Sequence, residues 1–269
     1  MTEGLTLFGK EVFDTLFIDW KIMVPVAIFS IIMFFVGLYL QLDKWGRGVP
    51  EGATKPVGAW GTLKLIIHRI FEKGIGSALG IIILDGLFQR RTWRRRKLEW
   101  LMHMLIFWGY FGLFILTVTA AAAEFYGPFI QNTDYSFFAN VWKDLELPNN
   151  IFAYMLTAGI ILAVVRRLAF SDVPPARFTS VDWITIIGLG IVVISGFWAQ
   201  DYRAGLGIQE RTLNGEYADN FFNNGIDVFH EVFTLLFCVA YLPFSKLFHM
   251  LVVPLVIMIN KGGYVEVNA

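Results

Sequence analysis

The stretch of sequence that decides the fold spans residues 99–122 and reads EWLMHMLIFWGYFGLFILTVTAAA. After Glu99 it contains no aspartate, glutamate, lysine or arginine, and His103 is its one histidine. An α-helix needs about 20 consecutive apolar residues to cross the ~30 Å hydrocarbon core of a bilayer. The stretch therefore predicts a transmembrane helix that carries an imidazole near one end.

The composition of the whole chain extends this prediction to a protein that crosses the membrane several times. Of its 269 residues, 56% are hydrophobic and 16% are charged, and the mean hydropathy is +0.59. A soluble domain typically carries about 25% charged residues. We predict an all-α, integral membrane five-helix bundle that forms a single domain over residues 1–269. Besides residues 99–122, the expected spans are residues 22–42, 151–169, 182–200 and 229–258.

A further apolar stretch, residues 75–88, is too short to cross the bilayer and is interrupted by Asp85. We interpret residues 60–90 as an interfacial segment between the first and second spans. His68 lies in this segment, in the sequence LKLIIHRIFEKG, on a predicted amphipathic helix with basic residues towards the lipid headgroups.

The distribution of lysine and arginine between the loops predicts the topology. Residues 44–97 hold twelve basic and three acidic residues, and residues 166–181 hold three arginines. Residues 123–149 hold one basic and four acidic residues, and residues 201–229 hold two basic and five acidic residues. Because cytoplasmic loops are enriched in lysine and arginine, the first two loops should be cytoplasmic. The N-terminus is then outside and the C-terminus cytoplasmic, as an odd number of spans requires.

The single cysteine, Cys238, limits the redox centres that this chain can hold. One cysteine forms no disulfide within the chain and cannot supply the four ligands of an iron–sulfur cluster. There is no CxxCH motif for covalent haem attachment. An iron cofactor would therefore have to be a non-covalent haem that is bound by histidine, its usual axial ligand.

Two histidines are expected at the same depth in the membrane. Ionisable side chains are costly inside a bilayer and therefore indicate function. His103 lies about one turn into the second span, which starts at the cytoplasmic side, and His249 lies near the cytoplasmic end of the fifth span. The two could coordinate one haem iron from opposite faces. The alternative is that both are interfacial histidines that bind water.

His230 begins the fifth span and is expected near the outer face. It precedes His249 by 19 residues, which is about 28 Å along a straight helix, although Pro243 should kink this span. The outer half of the second span offers no histidine as a partner. His230 would then hold a five-coordinate haem, or no haem, or serve as a helix-start histidine beside Asp227 and Glu231.

Small residues in the spans allow close approach. Gly109 and Gly112 in the second span could admit a flat porphyrin or the backbone of a neighbouring helix. A rival function is a transporter or structural anchor that uses the intramembrane histidines as a proton relay. Proton relays usually recruit intramembrane carboxylates as well, and the absence of mid-span Asp or Glu argues against this rival.

The chain resembles a known family of membrane cytochromes. Residues 230–254, HEVFTLLFCVAYLPFSKLFHMLVVP, are similar to the last helix of the gamma subunit of respiratory nitrate reductase. The shared order is a histidine, an apolar run, a Pro-Phe-Ser-(Arg/Lys)-Leu block and a second histidine. Residues 163–200 resemble the third-to-fourth helix region of that family. Residues 98–117 resemble more closely the cytochrome b subunits of membrane-bound heterodisulfide reductase and of the sulfite-reduction-associated Dsr complex.

The resemblance, which covers residues 90–258, implies two haems b and the oxidation of a membrane quinol such as menaquinol, or of methanophenazine. By position, His103 and His249 match the ligands of the haem nearer the cytoplasm, and His230 matches one ligand of the outer haem. The nitrate reductase pattern has another histidine where this chain has Leu113. That departure implies a five-coordinate outer haem. If both haems prove six-coordinate, His68 and Met155 are the residues to test first.

The resemblance also implies partners. The family passes electrons to a cytoplasmic iron–sulfur subunit, here of the heterodisulfide reductase D type, and we expect it to dock on the basic face around residues 90–97. The loop 201–229 is expected outside, where it could contact a multihaem cytochrome c. We expect a multi-pass protein of the cell membrane, with the lipid bilayer but no nucleic acid among its partners.

Overall fold

The computed structural model describes residues 20–49, 54–130, 135–169, 180–205, 225–249, 252, 253 and 255. All regular structure in these ranges is helical, and they contain no strand, which confirms the predicted all-α class. The α-helices are α1 (Trp20–Gly46), α2 (Gly58–Lys73), α3 (Ile75–Ile81), α4 (Arg90–Arg95), α5 (Lys97–Ile130), α6 (Tyr135–Ala169), α7 (Ser180–Gly205) and α8 (Gly225–Thr234).

Four of these helices are long and apolar enough to cross a membrane. The spanning parts have mean hydropathies between 1.8 and 2.5. They coincide with the first four predicted spans, because the length of an apolar run is a local property of the sequence. Their positions are Ile22–Gly46 in α1, Lys97–Ala122 in α5, Asp144–Ala169 in α6 and Ser180–Asp201 in α7.

The predicted fifth span, residues 229–258, is not one continuous α-helix over its described residues. The α-helix ends at Thr234 and continues as a π-helix at Leu235–Ala240. Two 3₁₀ turns follow, at Leu242–Phe244 and Lys246–Phe248. Pro243 explains the break, since its ring has no N–H for the helical ladder and clashes with the preceding turn. The spacing of His230 and His249 along a straight helix is therefore wrong.

The segment between α1 and α5 is helical but consists of short pieces. Gly74 separates α2 from α3 with a φ of 83°, a left-handed conformation that glycine adopts without steric cost. The chain then forms a π-helix at Ile82–Leu87 and the short helix α4. None of these pieces has the length of a span, in agreement with the interpretation of residues 60–90. Their placement at the membrane interface stays a prediction.

The described residues pack into two compact units. The first contains Met102–Cys238 and the chain up to Phe29. In this unit a buried cluster of Met102, Ala163 and Ile186 joins α5, α6 and α7. At one end of α6, an ion pair of 3.5 Å links Arg167 Nη2 to Asp182 Oδ1 at the start of α7. Apolar packing and this ion pair together fix α6 against α7.

The second unit contains Ser30–Leu101 and the chain from Val239 onwards. Here the turn at Pro243 packs on the second half of α1. Gly37 faces Pro243 and Phe244 so closely that a Cβ atom at Gly37 would lie 2.7 Å from the Cβ atom of Pro243. The Gln41 side-chain amide donates a hydrogen bond of 2.8 Å to the Pro243 carbonyl. This bond pairs a carbonyl where the regular helical ladder is interrupted.

The basic run at residues 90–97 is anchored by a buried carboxylate of the same unit. Asp85, only 6% exposed, lies 3.4 Å from Arg90 Nε and 3.7 Å from Arg91 Nε. Arg94 and Arg95 are exposed. The run therefore combines two arginines that neutralise Asp85 with further cations that point to solvent or lipid headgroups.

Candidate functional site

His230 is the predicted site residue whose surroundings the structure defines best. It lies on α8, half-buried. Its ring nitrogen Nδ1 is 2.9 Å from the hydroxyl oxygen Oγ of Ser195 on α7. Both residues belong to the first compact unit. The imidazole is thus held by a side chain from a neighbouring helix.

The proton on this imidazole can be assigned from the other contacts of Ser195. Ser195 Oγ lies 2.7 Å from the carbonyl oxygen of Ile191 and 3.2 Å from that of Val192. A serine hydroxyl has one proton, and carbonyl oxygens only accept. With the hydroxyl proton directed to these carbonyls, Ser195 accepts a hydrogen bond from the Nδ1–H of His230. A neutral imidazole protonated at Nδ1 carries its lone pair on Nε2.

The packing of α8 on α7 fixes this arrangement. A Cβ atom at Gly196 would lie 3.0 Å from ring atom Cε1 of His230, so the absent side chain admits the ring. About two turns further along, the Phe237 ring occupies the space that a side chain at Gly188 would take. Phe237 is stacked on Phe233 with ring centroids 5.6 Å apart. The two glycines therefore let aromatic rings of the neighbouring helical segment approach the α7 backbone.

His249 shows the same protonation pattern in the second unit. It is exposed, and its Nδ1 donates to the carbonyl oxygen of Lys246. Because a carbonyl only accepts, Nδ1 must carry the proton and Nε2 the lone pair. Histidine ligands of metals characteristically donate their second N–H to an oxygen acceptor in this way. The donor set at His230 and His249 therefore fits axial ligation of a haem iron through Nε2.

The other predicted site residues lie in less defined surroundings. His103 is half-buried on α5, between buried Met102 and Met104. His103 and His249 belong to different units, and their pairing stays a prediction from the sequence. His68 is exposed on α2, and Met155 is half-buried on α6.

Gly109 and Gly112 contact a neighbouring helix. A Cβ atom at Gly109 would lie 2.8 Å from Cα of Leu156 on α6. A Cβ atom at Gly112 would collide with the Phe152 ring. Leu156 is fully buried in this contact. Of the two roles predicted for these glycines, close helix packing is the one the structure supports, and the space expected for a porphyrin is filled by α6.

Three polar residues near the site were not predicted as functional from the sequence. Asp227, only 2% exposed, lies on α8 one turn before His230. Ser195 is 35 residues from its partner in the sequence, so no local pattern signals the contact. The third is Tyr110, whose hydroxyl donates a hydrogen bond of 2.7 Å to the carbonyl oxygen of Cys238. Asp227 alone had a local signal, its spacing of three residues from a predicted ligand.

The Tyr110 hydrogen bond should stabilise the π-helix at Leu235–Ala240. In a π-helix the Cys238 carbonyl would accept from residue 243, which is a proline without an N–H. Tyr110→Phe leaves this carbonyl without its hydroxyl donor, and we expect the free energy of unfolding in detergent to fall by about 1–3 kcal/mol. Tyr154→Phe is the matched control, because Tyr154 is 63% exposed. Equal stabilities of the two variants would contradict the expectation.

The fold and the histidine environment together define a class: a multi-pass, all-helical membrane protein that presents imidazoles suited to metal ligation. Comparison with known proteins is more specific. The family model for the E-type subunit of dihydromethanophenazine:CoB–CoM heterodisulfide reductase matches residues 79–257. The chain belongs to this family and is a membrane component of an electron-transfer complex.

Proteins that carry the same name align over nearly the whole chain. The relative from Methanosarcina thermophila is 36% identical, with 98% of this chain and 100% of the relative covered. The relative from Methanosarcina acetivorans is 35% identical, with 93% of this chain and 95% of the relative covered. The shared name specifies a reductase of dihydromethanophenazine and the CoB–CoM heterodisulfide. No solved structure matches the chain significantly.

Proposed function

We propose that this chain is the cytochrome b subunit of a membrane-bound reductase complex, with non-covalent haem b as its cofactor. The observation that carries the proposal is the geometry at His230, where Ser195 holds Nδ1 and the lone pair lies on Nε2. In this proposal His230 binds the outer haem, and His103 and His249 bind the haem nearer the cytoplasm. Leu113, half-buried on α5, stands where relatives of the nitrate reductase type have a second outer ligand.

The substrate in this proposal is a lipid-soluble, two-electron carrier, either a quinol such as menaquinol or dihydromethanophenazine. Haem would supply a one-electron acceptor on each side of the membrane. Oxidation of the carrier also releases two protons, which must leave the site. Asp227 is buried and lies one turn from His230 on the same helix. Its carboxylate is suited to accept a proton from a carrier bound against this part of α8.

The same proposal requires a partner that completes the reaction. The single cysteine, Cys238, cannot hold an iron–sulfur cluster. Electrons must therefore reach a separate iron–sulfur subunit, of the heterodisulfide reductase D type, on the cytoplasmic side. The exposed arginines Arg94 and Arg95 beside the start of α5 suit an acidic surface on that subunit. A multihaem cytochrome c could contact the outer loop 201–229, most of which lies outside the described residues.

The rival function as a proton-relay transporter or structural anchor has no specific observation in its favour. Its expected carboxylates would have to lie in the middle of the spans. The buried carboxylates described above, Asp85 and Asp227, lie in the π-helix after α3 and in the first turn of α8. Membership in a family of reductase subunits also argues against this rival.

The proposal is tested by the colour and the reduction of the purified complex. We expect a Soret band, a pyridine haemochrome spectrum of haem b and two haems per chain. We also expect reduction by a water-soluble dihydrophenazine in detergent micelles. Electron paramagnetic resonance should show one low-spin and one high-spin ferric haem, because Leu113 cannot be a ligand. A colourless protein with full helical content would overturn the proposal.

Single replacements of His103 and His249 by alanine test whether these two residues serve one haem. Each variant should lose the low-spin signal and about half of the haem, because two imidazoles complete this ligand set. The double variant should lose no more haem than either single variant. Haem-to-protein ratios from pyridine haemochrome assays provide the measurement. An additive loss in the double variant would show that the two histidines bind different haems.

A further inference from the structure

We infer that Ser195 is a positioning residue for His230 and sets the properties of the outer haem. This inference rests on the proposed function, since it assumes that His230 is an axial ligand. The structural basis is the 2.9 Å contact between Ser195 Oγ and His230 Nδ1. No feature of the family pattern in the sequence points to this serine.

The hydroxyl of Ser195 is itself fixed in direction. It is 4% exposed and bonds back to the Ile191 and Val192 carbonyls of its own helix. A serine on the surface of a helix would rotate freely between partners, but this one has its proton committed to α7. Its lone pair therefore points consistently at His230 Nδ1, which imposes one tautomer on the imidazole.

This contact has two consequences for a ligand at Nε2. First, it fixes the rotation of the imidazole ring, and Gly196 on the next position leaves only enough space for that ring at 3.0 Å. Second, an oxygen that accepts from Nδ1–H makes the imidazole a stronger electron donor. A stronger donor stabilises ferric over ferrous iron. Ser195 should therefore lower the midpoint potential of the outer haem relative to a variant without the hydroxyl.

The test compares Ser195→Ala with a matched control on the same helix. Thr185 is also buried, and its hydroxyl donates to the Val181 carbonyl at 2.9 Å. Thr185→Val removes a comparable back-bonded hydroxyl ten positions away from Ser195. The measurements are the midpoint potential of each haem in a redox titration of the purified complex, the ferric electron paramagnetic resonance signals, and haem retention in detergent.

We expect Ser195→Ala to raise the midpoint potential of the outer haem, to shift its paramagnetic signal and to weaken haem retention about tenfold. Ser195→Thr keeps the oxygen and should stay close to the wild type. Ser195→Cys, with a weaker acceptor, should be intermediate. Thr185→Val should change none of these properties. A general packing defect would affect the Thr185 and Ser195 variants alike, and would not follow the acceptor strength of the side chain.

The outcomes separate this inference from the proposed function. If the wild type binds no haem, the proposed function fails first. If the wild type binds a His230-dependent haem but its potential and signal are the same in Ser195→Ala, only the role of Ser195 is overturned. If Ser195→Ala does not accumulate in membranes, the Thr and Cys variants decide: equal potentials in both would overturn the inference.

Discussion

Replacement of His230 by glycine is expected to remove the outer haem and to abolish reduction of the complex by a dihydrophenazine. The imidazole is the one protein ligand predicted for this iron, so its loss leaves the haem without an axial bond to the chain. Loss of a hydrogen bond to a metal-bound histidine typically costs about 10–100-fold in metal affinity or activity. Loss of the ligand itself should therefore slow reduction by at least about 100-fold.

Stopped-flow absorbance at the Soret band measures the reduction rate, and a pyridine haemochrome assay measures the remaining haem. His68→Gly is the matched control, because His68 is exposed on α2 and lies outside the spanning helices. Added imidazole should restore the outer haem in the His230 variant only, since the deleted side chain leaves a space of the same shape. Full haem content in His230→Gly would exclude His230 as a ligand.

Replacement of Gly109 by alanine is expected to destabilise the contact between α5 and α6. The added Cβ atom would lie 2.8 Å from the Leu156 Cα atom, which cannot move without its helix. Such overpacking typically costs about 1–3 kcal/mol. Alanine also favours helix formation over glycine by about 1 kcal/mol, so the variant must be compared with another Gly→Ala change.

Gly190→Ala is that comparison. Gly190 lies in the spanning part of α7, and no atom lies within 4 Å of its ideal Cβ position. The gain in helix propensity is common to both variants, so their difference isolates the clash. Unfolding in a titration with sodium dodecyl sulfate, followed by circular dichroism, should place Gly109→Ala about 1–3 kcal/mol below Gly190→Ala. Equal stabilities would mean that α5 and α6 do not approach at Gly109.

The features that sequence analysis predicted correctly depend on local composition. The spans in α1, α5, α6 and α7 follow from uninterrupted apolar runs, and the short helices before α5 follow from a run too brief to cross a bilayer. The charge on the loops predicts an orientation that the structure by itself does not test. Membership in the reductase family agrees with the resemblance found in residues 98–117 and 230–254.

The features that sequence analysis missed depend on contacts between distant residues. The last predicted span changes from α-helix to π-helix and 3₁₀ turns, and its carbonyls at Cys238 and Pro243 are satisfied by Tyr110 and Gln41. Those partners lie 128 and 202 residues away in the sequence. Proline predicts a kink, but it does not predict which side chain pairs the carbonyls that it leaves unbonded. The same holds for Ser195, whose role appears only when α7 and α8 are packed.

The joint between α6 and α7 has a consequence for how the protein can be produced. Membrane helices can insert separately and associate afterwards. The contacts that hold α6 to α7, namely the Arg167–Asp182 ion pair and the packing of Ala163 with Ile186, do not require a peptide connection between the two helices. A gene divided between the codons for residues 170 and 179 should therefore yield two co-expressed fragments that reassemble. Each fragment could then be labelled independently.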